Sequence, residues 1–211
     1  MKNEQKFSRP PQAESIRVLA ATARGDDYAT LVIKNAKLIN VISSEILPDT
    51  DIAVKDSRIA YVGEDASHTI GEETRIIDAE NRYVCPGFLD GHCHIESTQL
   101  TPAQFSRAVM PNGTTGGFFD AHEITNVLGL EGLEYMLEEA RLTPMVAYMQ
   151  VPSSVPSTSG EFETNGAEIG PDEVAEAFSW GDDVNAPGLG AMAGNQNIEA
   201  ASCNGVNKVV D

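Results

Sequence analysis

The sequence predicts an α/β protein: a partial (β/α) barrel of the TIM type, about the first four units, preceded by a small β-sheet domain. From residue 84 onward, short apolar runs alternate with helical segments, as in parallel strands joined by crossover helices. Residues 30 to 83 instead hold short β-branched runs separated by turn residues, which is typical of an antiparallel sheet. A closed barrel takes about 250 residues, so a chain of 211 residues holds only part of one.

Four segments are expected along the chain. They are an N-terminal extension with a short helix (1–29), the small β domain (30–83), the first half of the barrel (84–190) and an irregular tail (191–211). The short helix is "ESIRVLAATARG", which ends at Gly25. Within the small domain, "KDS" and "AEN" are predicted to form the turns of antiparallel hairpins.

The barrel segment contains three clear strands and a weaker fourth. These are "GFLDGHCHI", "TTGGFFD", "PMVAYMQVP" and the weaker "NAPGLGAM". Gly116 and Gly117 in the second strand indicate either close backbone approach or a weak strand. The helices are "TPAQFSRAVM", with Thr101 as N-cap and Gln104 completing a capping box, "GLEGLEYMLEEARL" and "PDEVAEAFSW". The apolar face of the second helix consists of Leu130, Leu133, Leu137 and Ala140.

Half a barrel leaves strand edges and an apolar face without a partner. The sequence therefore predicts a fragment of a longer protein, a truncated product, or a chain that needs a partner. That partner would be another copy of the chain or a complementing C-terminal half.

Charge limits the classes of partner. Asp and Glu number 32 against 14 Lys and Arg, for a formal charge of −18, which repels nucleic acids and anionic membranes. No apolar run reaches the roughly 18 residues of a membrane span, and the polar N-terminus is unlike a signal peptide. We therefore expect a cytoplasmic protein. An odd number of cysteines without zinc-finger spacing predicts reduced thiols: Cys85, Cys93 and Cys203.

The stretch "VCPGFLDGHCHIES" places His92, His94 and Glu96 at the end of an apolar strand. These three side chains are expected to share one face of the strand, because residues two apart in a strand point to the same side. Two neutral imidazoles suit a divalent ion such as zinc, iron or manganese. Such an ion lowers the pKa of bound water towards about 7. The alternative is a pair of solvent-facing histidines in a loop.

These motifs resemble a known family. "PGFLDGHCHIEST", preceded by "LVIKNAKLINV" and followed by "LTPAQFSRAVMPNGTTGGFFDAHEITNVLG", is similar to the adenine deaminases of the amidohydrolase superfamily, from about Leu31 to Gly190. The resemblance implies a metal-dependent barrel joined to a small β domain, which converts adenine and water to hypoxanthine and ammonia. It also implies that His92 and His94 are metal ligands from the first strand, in a site that is binuclear in the full-length family.

Further polar residues follow the second and third strands. Asp120, His122 and Glu123 would line the purine pocket or orient water and metal ligands, and Glu96 would do the same; alternatively, Asp120 only caps the next helix. The segment "QVPSSVPSTSGEFETNGAE" resembles the family's loop over the pocket, or is a disordered surface loop. His68 has no metal spacing and is predicted to be a surface residue.

The chain also departs from the family. Ala191 stands where the family has a metal-binding Glu after "GLG", and the family's later histidines and catalytic Asp belong to strands that this chain lacks. We therefore expect an incomplete active site that is inactive by itself, with its catalytic residues unknown. The alternatives are a non-catalytic subunit of a split barrel and a hydrolase of another cyclic amidine or amide.

Overall fold

The computed structural model describes residues 12–152, 155–156 and 158–180. Within them the chain forms two compact units, and it passes from the first to the second between Pro86 and Gly87. The predicted N-terminal extension before residue 12, the fourth barrel strand, Ala191, Cys203 and the irregular tail lie outside the described residues.

The first unit is a helix and a five-stranded sheet. Helix α1 (Gln12–Arg24) ends, as predicted, at Gly25, which has a φ of +79°. The strands follow the order β3-β2-β1-β4, and β5 also pairs with β1. Their bounds are β1 (Leu31–Asn40), β2 (Glu45–Lys55), β3 (Arg58–Gly63), β4 (Arg75–Asp78) and β5 (Tyr83–Val84).

One of the two predicted hairpin turns is confirmed and the other is wrong. The "KDS" turn joins antiparallel strands β2 and β3, with Asp56 at a φ of 54°. The "AEN" turn does not reverse the chain, because β4 and β5 both pair parallel with β1. Glu80 and Asn81 adopt positive φ, and the Asn81 N–H donates to the Asn35 carbonyl at 2.9 Å. These residues carry the chain past an irregularity in β1, after which parallel pairing resumes.

A buried carboxylate, Asp51, fixes that irregularity in β1. Its Oδ1 accepts a hydrogen bond from the Asn35 N–H at 3.0 Å, and its Oδ2 accepts one from the Ala66 N–H at 3.1 Å. Lys34 Nζ lies 3.6 Å from the same Oδ2. Asn35 has a φ of 56° and so departs from regular strand geometry. Asp51 thus satisfies one backbone donor in the irregular part of β1 and another that directly precedes the 3₁₀ helix Ser67–Thr69.

The second unit is built on three parallel strands in the order β6-β7-β8. Parallel strands with intervening helices agree with the predicted partial barrel, and the small sheet precedes them. The bounds are β6 (Phe88–Cys93), β7 (Thr114–Asp120), β8 (Val146–Gln150), α2 (Pro102–Val109), α3 (His122–Leu128), α4 (Leu130–Ala140) and α5 (Pro171–Ser179). Short 3₁₀ helices cover Ser67–Thr69 in the first unit, and Ile95–Thr98 and Met110–Asn112 in the second.

Three local expectations for this unit are wrong. Strand β6 ends at Cys93, and Glu96 lies in a 3₁₀ helix rather than on the strand. Thr101 precedes α2 in an extended conformation but makes no side-chain capping hydrogen bond, so the capping box with Gln104 is absent. Helix α3 was not predicted, because its seven residues are too few to show a clear apolar period.

Helix α4 packs against the sheet by the predicted face. Leu133, Leu137 and Ala140 are buried, and Leu130 is partly buried against the same core. Phe119 belongs to this core as well, whereas Phe118, on the opposite face of β7, stacks on Tyr148 with ring centroids 5.0 Å apart. Strand β7 is thus covered on the helix side, while its other face belongs to the predicted barrel interior.

The close approach predicted at Gly116 is confirmed. A Cβ at this position would lie 2.6 Å from the Val146 carbonyl oxygen on the neighbouring strand. At Gly117 it would lie 2.8 Å from the Phe119 ring. Neither position admits a larger residue without displacement of a neighbour.

The long segment after β8 is anchored at both of its ends. Val155 and Ile169 form an isolated antiparallel bridge, and both side chains are buried. The segment also contacts α3, since the Gly166 N–H donates to the Asn126 carbonyl at 2.9 Å. Its described residues are therefore packed against the rest of the second unit.

Other sequence expectations concern single residues and membrane spans. Cys85 and Cys93 are free thiols, and His68 is exposed, as predicted. Across the described ranges, no helix has the length and apolar character that crossing a membrane requires.

We expect Asp51→Ala to destabilise the first unit by roughly 1–3 kcal/mol, because two backbone donors lose their acceptor. Hydrogen exchange measured by NMR should show faster exchange at the Asn35 and Ala66 amides. Glu64→Ala, at an exposed position, serves as the control. Unchanged protection of both amides would contradict the role given to Asp51.

Candidate metal centre

Parallel pairing brings the carboxyl ends of three strands to one edge of the sheet. Cys93 is in register with Phe119, and Asp120 is in register with Gln150. His94 and Asp120, which directly follow the first register pair, therefore emerge side by side. In parallel α/β folds this edge is where functional side chains gather.

His92 and His94 point their Nε2 atoms at each other. The two nitrogens are 3.1 Å apart, and the rings meet at an angle of 76°. Two nitrogens bound to one zinc ion at about 2.1 Å, at the tetrahedral angle, would be about 3.4 Å apart. The observed separation is thus close to that of two imidazole ligands sharing one cation.

Asp120 supplies a third potential ligand. Its Oδ2 lies 3.9 Å from His94 Nε2, and the ligand atoms of His92, His94 and Asp120 all fall within 4.8 Å of one another. Asp120 is 3% exposed, and its Oδ1 has no hydrogen-bond partner among the described residues. A buried carboxylate oxygen without a partner is costly, and a cation would offset that cost. The three side chains therefore fit a divalent metal ion.

His122 lies beside this group. Its Nδ1 is 3.7 Å from Asp120 Oδ2, and its ring centroid is 6.1 Å from that of His94. The alternative role for Asp120, as a cap of the following helix, is wrong: the N-cap of α3 is Ala121, and no side-chain capping bond is made there. His122 thus approaches the candidate metal centre through Asp120.

Glu96 reaches the same region from the 3₁₀ helix. Its Oε1 accepts a hydrogen bond from the Ile124 N–H at 3.3 Å, while its buried Oε2 has no partner in the described part of the chain. Burial raises the pKa of Glu96 above its usual value, despite the opposing effect of that hydrogen bond. Glu96 is therefore tied to the start of α3, not to either histidine.

Glu123 contacts His94 directly. Its Oε2 accepts a hydrogen bond from His94 Nδ1 at 3.0 Å, and its Oε1 accepts one from the Ser97 hydroxyl at 2.5 Å. Partial burial acts to raise the pKa of Glu123, but the hydrogen bonds from Ser97 and His94 outweigh it and hold the pKa below its usual value. Glu123 is thus a carboxylate that binds His94 through Nδ1, the ring nitrogen that does not face His92.

Cys93 lies between the two histidines in sequence but contacts the core on the other side. It packs against the same cluster as the fully buried Ile95. Burial raises the pKa of the Cys93 thiol, and nearby negative charges, among them Asp90, raise it further. A thiol of this kind is a poor nucleophile at neutral pH, which agrees with the structural role predicted for it.

Three residues of this region acquire roles that the sequence did not reveal. Asp120 was expected in the pocket or in a supporting position rather than as a ligand, although its place at the end of a parallel strand is a usable signal. Ser97 gave no signal of its own. Gln150 is 4% exposed, ends β8 beside Asp120, and has a buried Oε1 without a partner among the described residues.

Comparisons with known proteins find similar sequences and a similar fold. A sequence model of the amidohydrolase family matches residues 83–194, slightly more than half of the chain. Among curated proteins, an adenine deaminase of Rubrobacter xylanophilus is 64% identical over 202 residues, which are 93% of this chain and 33% of that protein. An adenine deaminase of Moorella thermoacetica is 49% identical, over 90% of this chain and 32% of that protein. The chain thus spans about a third of the length of these relatives.

Among solved structures, a mutant of atrazine chlorohydrolase TrzN from Arthrobacter aurescens, complexed with zinc and atraton, superposes with a TM-score of 0.53. The match covers 72% of this chain and 43% of that chain, at 15% sequence identity. At this identity the likeness concerns the fold alone.

If Asp120 is a ligand, Asp120→Asn should weaken cobalt(II) binding at least about tenfold, or 1.4 kcal/mol, because it removes the negative charge while keeping the side-chain volume. Isothermal titration calorimetry of the purified chain measures this change. Asp172→Asn, at an exposed position in the first turn of α5, is the matched control. Equal affinity in both variants would remove Asp120 from the ligand set.

Proposed function

This chain belongs to the amidohydrolase family, and on that basis we propose that it forms part of a metal-dependent adenine deaminase, which converts adenine and water to hypoxanthine and ammonia. The observation that carries the proposal is the convergence of His92, His94 and Asp120 at the carboxyl edge of parallel strands. The named relatives support adenine as the substrate.

We propose that His92 and His94 hold a divalent cation, with Asp120 as a further ligand. Imidazole and carboxylate donors suit manganese, iron or zinc. A cation at this position would supply Lewis acidity and lower the pKa of a water molecule. The atrazine chlorohydrolase of similar fold is complexed with zinc, which supports a cation in a protein of this fold without identifying the metal in this chain.

The polar groups around the histidines are proposed to bind the purine. Glu96 and His122 lie at the same edge, as does the Gln150 amide, whereas both oxygens of Glu123 already accept hydrogen bonds from Ser97 and His94. An amide oxygen accepts from an exocyclic amine, and carboxylates accept from ring N–H groups. These are the hydrogen-bonding types that adenine presents, so the chemistry of the edge is compatible with a purine base.

The rest of the site is proposed to come from residues outside the described ranges or from another chain. Phe88 and Leu89 on the edge strand β6 are 61% and 60% exposed, an apolar surface typical of an uncovered interface. Three side chains also leave few ligands for a binuclear centre. We therefore expect the chain to need complementation for turnover.

The decisive experiment measures metal content and ammonia release together. The purified chain, reconstituted with manganese, iron(II) or zinc, is expected to bind metal but release no ammonia from adenine. Adding the C-terminal two thirds of the Rubrobacter xylanophilus relative should restore adenine-dependent ammonia release. The His92→Ala/His94→Ala double variant is the control, and it should lose both the metal and the complementation.

Other outcomes would change the proposal. Ammonia release by the chain alone would overturn its dependence on complementation. A complemented protein that does not deaminate adenine but hydrolyses another cyclic amidine or amide would overturn the proposal of adenine as the substrate. Complementation that yields a folded complex without metal would favour a non-catalytic subunit.

Several sequence expectations stay predictions. They are the cytoplasmic location, the absence of nucleic-acid and membrane partners, a homo-oligomeric or split assembly, and the domain limits at residues 29/30, 83/84 and 190/191.

A further inference from the structure

A short chain of hydrogen bonds runs from Ser97 through Glu123 to His94. The Ser97 hydroxyl donates to Glu123 Oε1 at 2.5 Å, and His94 Nδ1 lies 3.0 Å from Glu123 Oε2. Ser97 and His94 belong to the segment that follows β6, whereas Glu123 lies in the first turn of α3. The two oxygens of one carboxylate thus connect two elements of the fold at the back of one histidine.

This geometry determines where the His94 proton sits. An ionised carboxylate only accepts hydrogen bonds, so His94 must donate through Nδ1. In a neutral imidazole the other nitrogen then carries a lone pair. That nitrogen is His94 Nε2, the atom that faces His92 and Asp120. A neutral His94 held by this hydrogen bond therefore presents the form that binds a cation.

His92 is in a different situation. Its Nε2 lies 3.1 Å from His94 Nε2, so one of these two nitrogens must donate. When both rings are neutral, His94 Nε2 carries the lone pair and the hydrogen belongs to His92 Nε2. His92 Nδ1 is buried and has no hydrogen-bond partner among the described residues. Nothing described therefore stabilises the Nδ1–H form that His92 needs to bind a cation through Nε2.

We propose that Ser97 and Glu123 are positioning residues that hold His94 in the Nδ1–H tautomer, so that its Nε2 is ready for a cation, whereas His92 must move its proton when the cation binds. This inference rests on the proposed metal site and assigns unequal tasks to its two histidines. Carboxylates behind metal-binding histidines typically contribute 10–100-fold to metal affinity.

The test reads histidine tautomers by long-range ¹H–¹⁵N NMR in the metal-free chain. The chain has four histidines, so each signal can be assigned by single substitution. The spectra are recorded at about pH 8.5, roughly two units above the ordinary histidine pKa. His68 is an internal reference, because its Nε2 lies 3.0 Å from the Ala23 carbonyl oxygen and must donate there.

The expected spectrum shows His94 as Nδ1–H and His92 as Nε2–H. Glu123→Ala should convert His94 to a mixture of both tautomers, and Ser97→Ala should do so to a smaller extent. Ser97→Thr keeps the hydroxyl and should keep His94 in the Nδ1–H tautomer. Glu131→Ala, at an exposed glutamate of α4, is the matched control and should leave all signals unchanged. Adding zinc should convert His92 to Nδ1–H without changing the His94 tautomer.

The second arm measures zinc affinity by competition with a chelating dye. Glu123→Ala should weaken it roughly 10–100-fold, whereas Glu131→Ala should not. A His94 signal in the Nε2–H form, or one that neither Glu123→Ala nor Ser97→Ala alters, would overturn the proposal. The tautomers are measured without metal or substrate. A chain that binds no zinc would therefore overturn the proposed metal site, while the NMR spectra would still decide whether Glu123 and Ser97 hold the His94 tautomer. Ser97 is exposed, so Ser97→Ala keeps the test valid if Glu123→Ala fails to fold.

Discussion

The parallel pairing of β6 with β7 is the constraint on which the candidate site depends. His92 and His94 are close in sequence, but Asp120 and Glu123 follow them by more than 25 residues. Only parallel strands place the ends of both segments at one edge, because each strand then finishes in the same direction. The glycines of β7 allow that pairing at close range, since a Cβ at Gly117 would lie 2.9 Å from the Cβ of Asp90 on β6.

The charges at this edge are unbalanced in a way that a cation would correct. Three carboxylates, those of Glu96, Asp120 and Glu123, surround two imidazoles, and two of them have a buried oxygen without a partner among the described residues. Like charges brought together in a partly buried region repel one another. The acidity of the whole chain, a formal charge of −18, is thus also present at this edge, where it favours a cation.

The first unit also contains a carboxylate that connects distant segments of the chain. There, one buried carboxylate, Asp51, accepts hydrogen bonds from the Asn35 N–H of the irregular strand β1 and from the Ala66 N–H before a 3₁₀ helix. In the second unit, Glu123 binds a serine hydroxyl and an imidazole instead. In both cases the carboxylate joins segments far apart in sequence, and the identity of its donors decides whether the result is structural support or the orientation of a reactive group.

The sequence by itself determined the parts of this protein that local patterns encode. Strand β7, the buried face of α4 around Leu133 and the alternation of strand and helix follow from period and turn residues. The pair His92 and His94 was also visible, because their spacing along a strand is short. The direction of β5, the existence of α3 and the end of β6 before Glu96 were decided by long-range pairing. Tertiary structure likewise brought Asp120 to the histidines and Ser97 to Glu123, since no local pattern records which distant side chains share an edge.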